Sequence, residues 1–86
     1  MPIAMKIKPL RVDIEEYLKK HHLDKKFQKA KKLFEQDAHH PSLNVEILEP
    51  KRLKFYSFRL DKKYRAIFII EDDSEAVIIS VTNHYK

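Results

Sequence analysis

The sequence predicts a small α+β domain: an amino-terminal strand, a helical hairpin, and then a three-stranded antiparallel meander packed on the helices. Three observations carry this reading. Residues 55–70, FYSFRLDKKYRAIFII, place aromatic and β-branched residues on both sides of the charged run Asp61-Lys62-Lys63, the pattern of a β-hairpin. Upstream, Phe27, Ala30, Leu33 and Phe34 recur at helical spacing while Lys25, Lys26, Lys29, Lys31 and Lys32 fall elsewhere on the helix. Downstream, the acidic run from Glu71 to Glu75 separates the hairpin from a last extended stretch at 76–82.

Taken in order, residues 4–10 alternate, with Met5 and Ile7 against Lys6 and Lys8, so a half-buried first strand is expected between Pro2 and Pro9. Asp13 and Glu16 have the spacing of a capping box, and Ile14, Tyr17 and Leu18 form the apolar side of a short helix ending at His21 or His22. Asp24 is placed to cap the second, longer helix. Pro41 ends the helical region. The loop 39–43 then leads to a short extended piece at 45–48, and Pro50 bars it from being a long central strand. No internal repeat or low-complexity linker is visible, so residues 1–86 read as one domain.

A chain of 86 residues has room for one core; at this size about 60–65% of the unfolded surface is buried. There is no cysteine, which excludes a disulfide framework and a thiolate zinc site. There is no glycine either, which excludes the Gly-rich phosphate loops of nucleotide-binding proteins. No stretch reaches the length of a membrane span and no signal-peptide apolar region opens the chain, so a cytoplasmic protein without a membrane partner is expected. The net charge of +5, from 18 Lys and Arg against 13 Asp and Glu, favours a polyanionic partner, with nucleic acid or the ribosome first. The alternative of nearly equal weight is that the Lys-rich helix faces are simply solvated, and Lys/Glu enrichment also accompanies thermophily.

With Asp61, Lys62 and Lys63 as the turn, Leu60 faces Tyr64 and Arg59 faces Arg65. Like charges directly opposite are destabilising. Two arginines converging on one sheet surface therefore suit an anionic ligand, unless they fan outward or pair with acids. Whether the acidic turn closes with two or four loop residues, Arg65 pairs with Thr82, and Ser80, Thr82 and, in an extended chain, His84 share the arginine face. Phe55, Ile67, Ile69 and Ile78 are expected on that face too, more apolar surface than a small monomer exposes without a partner or a folded-over chain end. Tyr56, Phe58, Leu60, Ala66, Phe68 and Ile70 are expected on the opposite face, against the helices.

Arg59, Arg65, His84 and Tyr85 make a set suited to phosphodiester chemistry: guanidinium groups for a charged transition state, an imidazole for proton transfer, and a phenol to hydrogen-bond or stack on a base. Glu46 is the best-placed carboxylate for a general base. The pairs His21-His22 and His39-His40 lack reliable ligand spacing with other donors, so no metal is expected.

The segments His40-Pro41-Ser42-Leu43, Phe55-Tyr56-Ser57-Phe58-Arg59-Leu60 and Tyr64-Arg65-Ala66-Ile67-Phe68, with the histidine-bearing end, resemble in this order the RelE/ParE superfamily of toxins from toxin–antitoxin pairs. The likeness covers nearly the whole chain. Within the superfamily it looks most like the YoeB branch, with its aromatic-Ser-x-Arg strand, an arginine opening the next strand, and a His-Tyr terminus. The resemblance implies a ribosome-dependent mRNA endoribonuclease without cofactor, acting in the ribosomal A site by 2′-hydroxyl attack and covered by a cognate antitoxin. On it, Arg65 would stabilise the transition-state phosphate, His84 would be the general acid, Tyr85 would position RNA and Glu46 would be the base. Arg59, Lys54 and Ser57 would contact substrate. The chain departs from the family at Ser57, where the RelE branch has lysine, at Thr82, where YoeB-like chains have arginine, at Ile47, which replaces a proline, and at the added Lys86. A non-catalytic ParE-like gyrase inhibitor, or an inactive RNA- or antitoxin-binding homologue, is the alternative.

Overall fold

Alternation along the two long strands decides which side of the sheet meets the helices. The computed structural model describes residues 4–72 and 74–83. Among these, the elements run β1 (Lys6–Ile7), α1 (Val12–Lys20), α2 (Asp24–Gln36), β2 (Glu46–Ile47), β3 (Tyr56–Arg59), β4 (Tyr64–Glu71) and β5 (Glu75–Asn83), with 3₁₀ turns at Pro41–Leu43 and Lys51–Leu53. The strands form one sheet in the order β1-β5-β4-β3-β2. The meander β3-β4-β5 is as expected, and two short edges extend it: β1 lies parallel to β5 and β2 antiparallel to β3. The first strand is shorter than the alternation at 4–10 suggests, although Met5 and Ile7 are buried as that alternation requires.

Both helices bury the predicted stripe: Ile14 and Leu18 from α1, and Phe27, Ala30 and Phe34 from α2. Phe34 is central. Its ring lies 5.2 Å from both Phe58 of β3 and Phe68 of β4, and Phe27 reaches Phe58 at 6.3 Å. These four rings are among the largest fully buried side chains, each contributing about 1.5–3 kcal/mol from burial alone.

Three expectations are corrected. The Asp13/Glu16 capping box does not form: Arg11 is the N-cap, without a side-chain bond, and its guanidinium takes both Asp13 oxygens, at 3.0 and 2.9 Å. Asp24 is the first residue of α2 and not its cap, a position held by Leu23; there its charge still favours the helix amino terminus. Ile78 belongs to the core and not to the arginine face. Glu71 pairs with Glu75, a register that alone would put Arg65 out of step with Thr82, and a bulge at Ile79 then restores the pairing. Below the bulge Phe68 faces Ile78; above it Ile67 faces Ser80 and Arg65 faces Thr82. The Arg11 Nη2 donates to the Ile79 carbonyl at 3.2 Å, tying the start of α1 to this irregularity.

In a chain without glycine, the left-handed backbone positions fall to other residues. Among the described residues His22, Asn44, Lys54 and Asp72 have φ of 55°, 46°, 58° and 52°. Asn44 ends the first 3₁₀ turn and Lys54 the second. Each reverses the chain on its way to an edge or central strand.

Candidate functional site

The β3–β4 hairpin has the expected register, with Arg59 opposite Arg65 and Ser57 opposite Ile67, while Glu46 of β2 faces Ser57 from the other side. Side chains of directly paired residues share a face of the sheet, as do residues two apart on a strand. Glu46, Ser57, Arg59, Arg65 and Thr82 therefore share the surface that faces away from the helices.

Arg65 is nevertheless only 6% exposed, because the segment before β2 folds over it. Its Nε donates to the Ser57 hydroxyl at 2.9 Å, and Nη2 donates to the Asn44 carbonyl and, at 3.4 Å, to the Ser57 carbonyl. Glu46 Oε1 stands 3.6 Å from the same Nη2, with its side chain half exposed. The left-handed turn at Asn44, φ 46° and ψ 56°, sets the carbonyl where the guanidinium meets it. Two of the three guanidinium nitrogens are thus held by the protein itself. Burial pulls the Arg65 guanidinium below its ordinary pKa, Glu46 opposes this, and the positive charge of Arg59 adds to the lowering.

The expected like-charge conflict is settled by divergence. Arg59 is exposed and directs Nε to the Asp61 carbonyl at 3.4 Å, toward the turn, while Arg65 turns inward. Asp61 organises that turn: its carboxylate accepts from the backbone N–H groups of Lys63 and Tyr64, both at 2.8 Å, and pairs with Lys26 of α2 at 2.8 Å.

Of the residues expected from sequence, Arg65, Ser57 and Glu46 come together, with Arg59 next to them on the ladder. Ser57 is buried and holds Arg65, so its hydroxyl supports the guanidinium from below. Lys54 is exposed, at the left-handed bend that enters β3 from the end opposite Arg59. His84 and Tyr85 lie outside the described residues. The role of Asn44 is not marked in the sequence beyond the turn preference of asparagine after Pro41-Ser42-Leu43. His21 packs at a tilt against Tyr17, with ring centroids 4.2 Å apart, and shares a 3.2 Å hydrogen bond with the Tyr64 hydroxyl, while His40 Nδ1 accepts from the Ser42 backbone N–H at 3.2 Å.

A five-stranded sheet with Arg59 and Arg65 on the face away from a two-helix layer defines this as a small α+β protein. Solved structures similar in fold include toxins. The YoeB dimer of Staphylococcus aureus matches with a TM-score of 0.61 at 20% identity, over 99% of this chain and 100% of that one. YoeB in its heterotetrameric toxin–antitoxin complex with YefM, from the same organism, gives 0.62 at 19% identity over the same shares. A YoeB/ParE toxin of Agrobacterium tumefaciens gives 0.62 at 13% identity, over 96% of this chain and all of the other. No protein-family model and no curated protein matches the sequence. The chain has the YoeB/ParE toxin fold, in agreement with the resemblance carried by its motifs. No helix among the described residues is long and apolar enough to cross a membrane.

Proposed function

We propose that this chain is the toxin of a toxin–antitoxin pair and that it cleaves messenger RNA in the ribosomal A site. The observation that carries this is Arg65: a cation clamped by Ser57 and Asn44, shielded from water, beside a half-exposed carboxylate and across from a second arginine. A preorganised charge in a shielded site stabilises a phosphorane-like transition state more than a solvated one, because it does not reorganise as charge develops.

In this reading Glu46 takes the proton of the RNA 2′-hydroxyl as its oxygen bonds to the adjacent phosphorus. Arg65 Nη1 and the exposed Arg59 guanidinium meet the non-bridging oxygens. The bond from phosphorus to the 5′-oxygen breaks, His84 supplies that oxygen's proton, and the products are a 2′,3′-cyclic phosphate and a 5′-hydroxyl. Tyr85 and Lys54 would hold RNA, and Ser57 acts as a positioning residue through Arg65. A cognate antitoxin would cover the same face, where Phe55 is 37% exposed and Ile67, Ile69 and Val77 are only half-buried. The ribosome presents the message, and the setting is cytoplasmic.

The test is a cell-free translation reaction with the purified protein in which new 5′ ends on the message are mapped. Cuts are expected within ribosome-occupied codons, falling at least about 100-fold in Arg65→Ala and His84→Ala. A wild type that leaves every message intact while translation proceeds overturns the reading. A gyrase inhibition assay then examines the ParE-like alternative.

A further inference from the structure

His40 and Ser42 form a pair that the proposed RNA chemistry does not use. The Ser42 Oγ lies 2.7 Å from His40 Nδ1, and the Ser42 backbone N–H donates to the same nitrogen at 3.2 Å. A backbone N–H only donates, so Nδ1 carries no proton and the Ser42 hydroxyl directs its hydrogen onto the imidazole. Ser42 also lines a cavity of about 310 Å³ between α2, the 3₁₀ turn Pro41–Leu43 and the end of β3, together with Lys29, Arg59, Leu33, Leu43 and Leu60. We propose that Ser42 is a self-phosphorylating nucleophile: its hydroxyl, with His40 as base, takes the phosphoryl group of a small acyl phosphate bound in this cavity.

The turn holds the pair in place by itself. The His40 N–H donates to the Asp37 carbonyl and the Leu43 N–H to the His40 carbonyl, both at 3.0 Å, while the Leu43 side chain is anchored in the core. A hydroxyl hydrogen-bonded to an adjacent base is the arrangement that activates a serine nucleophile. In the step, Ser42 Oγ bonds to phosphorus as its proton passes to His40 Nδ1. The bond from phosphorus to the acyl oxygen breaks, its electron pair leaving on a carboxylate, and the products are phosphoserine and the free carboxylate. That leaving group needs no proton, so one base completes the step. Lys29 and Arg59, both exposed, supply positive charge for the phosphoryl oxygens, and the three leucines supply an aliphatic wall for the acyl group. Lys26 takes no part, because Asp61 already holds it at 2.8 Å. The cavity stands at the lower bound for small-molecule pockets and no aromatic ring lines it to stack on a base, which selects a small donor over a nucleotide. Phosphoserine would bring a charge of about −1.5 to −2 beside Arg59. Arg59 faces Arg65 across the ladder, so phosphorylation would weaken the proposed RNA site. That consequence rests on the nuclease reading; the modification itself does not.

Incubation of the full chain with acetyl phosphate, followed by intact-mass and peptide mass spectrometry, tests it. One added phosphoryl group is expected, mapping to Ser42 and missing from Ser42→Ala. His40→Asn keeps an acceptor for the Ser42 N–H, and with it the turn, but cannot take the proton, so the rate of phosphorylation should fall at least about 100-fold. Lys29 is exposed, so Lys29→Glu keeps its fold and should slow the reaction about tenfold by reversing a charge at the phosphoryl oxygens. Absence of a phosphoryl adduct, acetylation of Ser42 in its place, phosphorylation mapping to other residues, or a rate indifferent to His40→Asn or to Lys29→Glu overturns the proposal. Phosphorylation of Ser42 in a chain that cuts no message would sink only the nuclease reading.

Discussion

Glu35, near the end of α2, accepts a hydrogen bond from the backbone N–H of Ile7 at 2.9 Å. Ile7 lies on the two-residue edge strand β1, whose neighbours Lys6 and Lys8 direct their N–H groups to the Ser74 and Ala76 carbonyls beside β5, at 2.9 Å each. The outward N–H of the edge is therefore taken by a helix side chain and not left as a template for another strand.

Glu35→Ala is expected to destabilise the fold by about 1–2 kcal/mol, since a partly buried donor loses its acceptor. Glu35→Gln, which keeps an acceptor oxygen, should recover most of the loss. Urea unfolding of the two variants checks this, and identical midpoints for alanine and glutamine would refute the edge-capping role.

Ser57→Ala leaves Arg65 Nε without its buried acceptor, at a cost of about 1–3 kcal/mol. Ser57→Thr retains the hydroxyl and should restore both stability and whatever RNA cleavage the alanine variant lacks. Loss of cleavage in both variants, with stability unchanged, would instead make Ser57 a direct substrate contact.

Phe34→Ala removes the ring that touches Phe58 and Phe68 and should cost about 3–5 kcal/mol, a large share of the stability of a domain this small. Thermal unfolding followed by circular dichroism measures it. A loss below about 1 kcal/mol would mean that the aromatic cluster repacks.

Acid titration of stability should reveal Asp61. Burial alone would raise its pKa, but the Lys26 hydrogen bond and the Tyr64 and Lys63 backbone N–H groups outweigh it and hold the folded value below the ordinary 3.8. A depressed carboxylate contributes stability that is fully present above the unfolded value and is lost as pH falls through the folded one. Asp61→Asn should therefore flatten the decline in stability below about pH 4, while a profile unchanged from wild type would contradict the turn's dependence on that carboxylate.

Much of the fold was legible in the sequence because the relevant signals are local. The hairpin turn at Asp61-Lys62-Lys63 fixes the Arg59–Arg65 pairing by counting, and the phenylalanine spacing in α2 identifies its buried side. What escaped depends on contacts between distant segments. The bulge at Ile79 cannot be read from a strand of continuous apolar residues, where either parity is plausible, and so counting along the strand puts Ile78 on the wrong face. Arg11, a neighbour of Asp13, displaced the capping box by a pairing that competes with it. The candidate site was half legible: Arg65, Glu46 and Arg59 follow from motif and register, but the burial of Arg65 beneath Asn44 depends on a chain reversal far away in sequence. The edge strands β1 and β2 are too short for periodicity to mark their ends.

The four left-handed residues carry a consequence for how this protein can be strengthened. A side chain beyond Cα crowds the following carbonyl in that conformation, by about 1–2 kcal/mol for most residues and less for asparagine and aspartate. His22 and Lys54 thus hold conformational tension that a single glycine would release, partly offset by the greater freedom glycine gives the unfolded chain. Natural variation or laboratory selection for heat tolerance would find its openings at these two bends, while the tightly filled aromatic centre offers few.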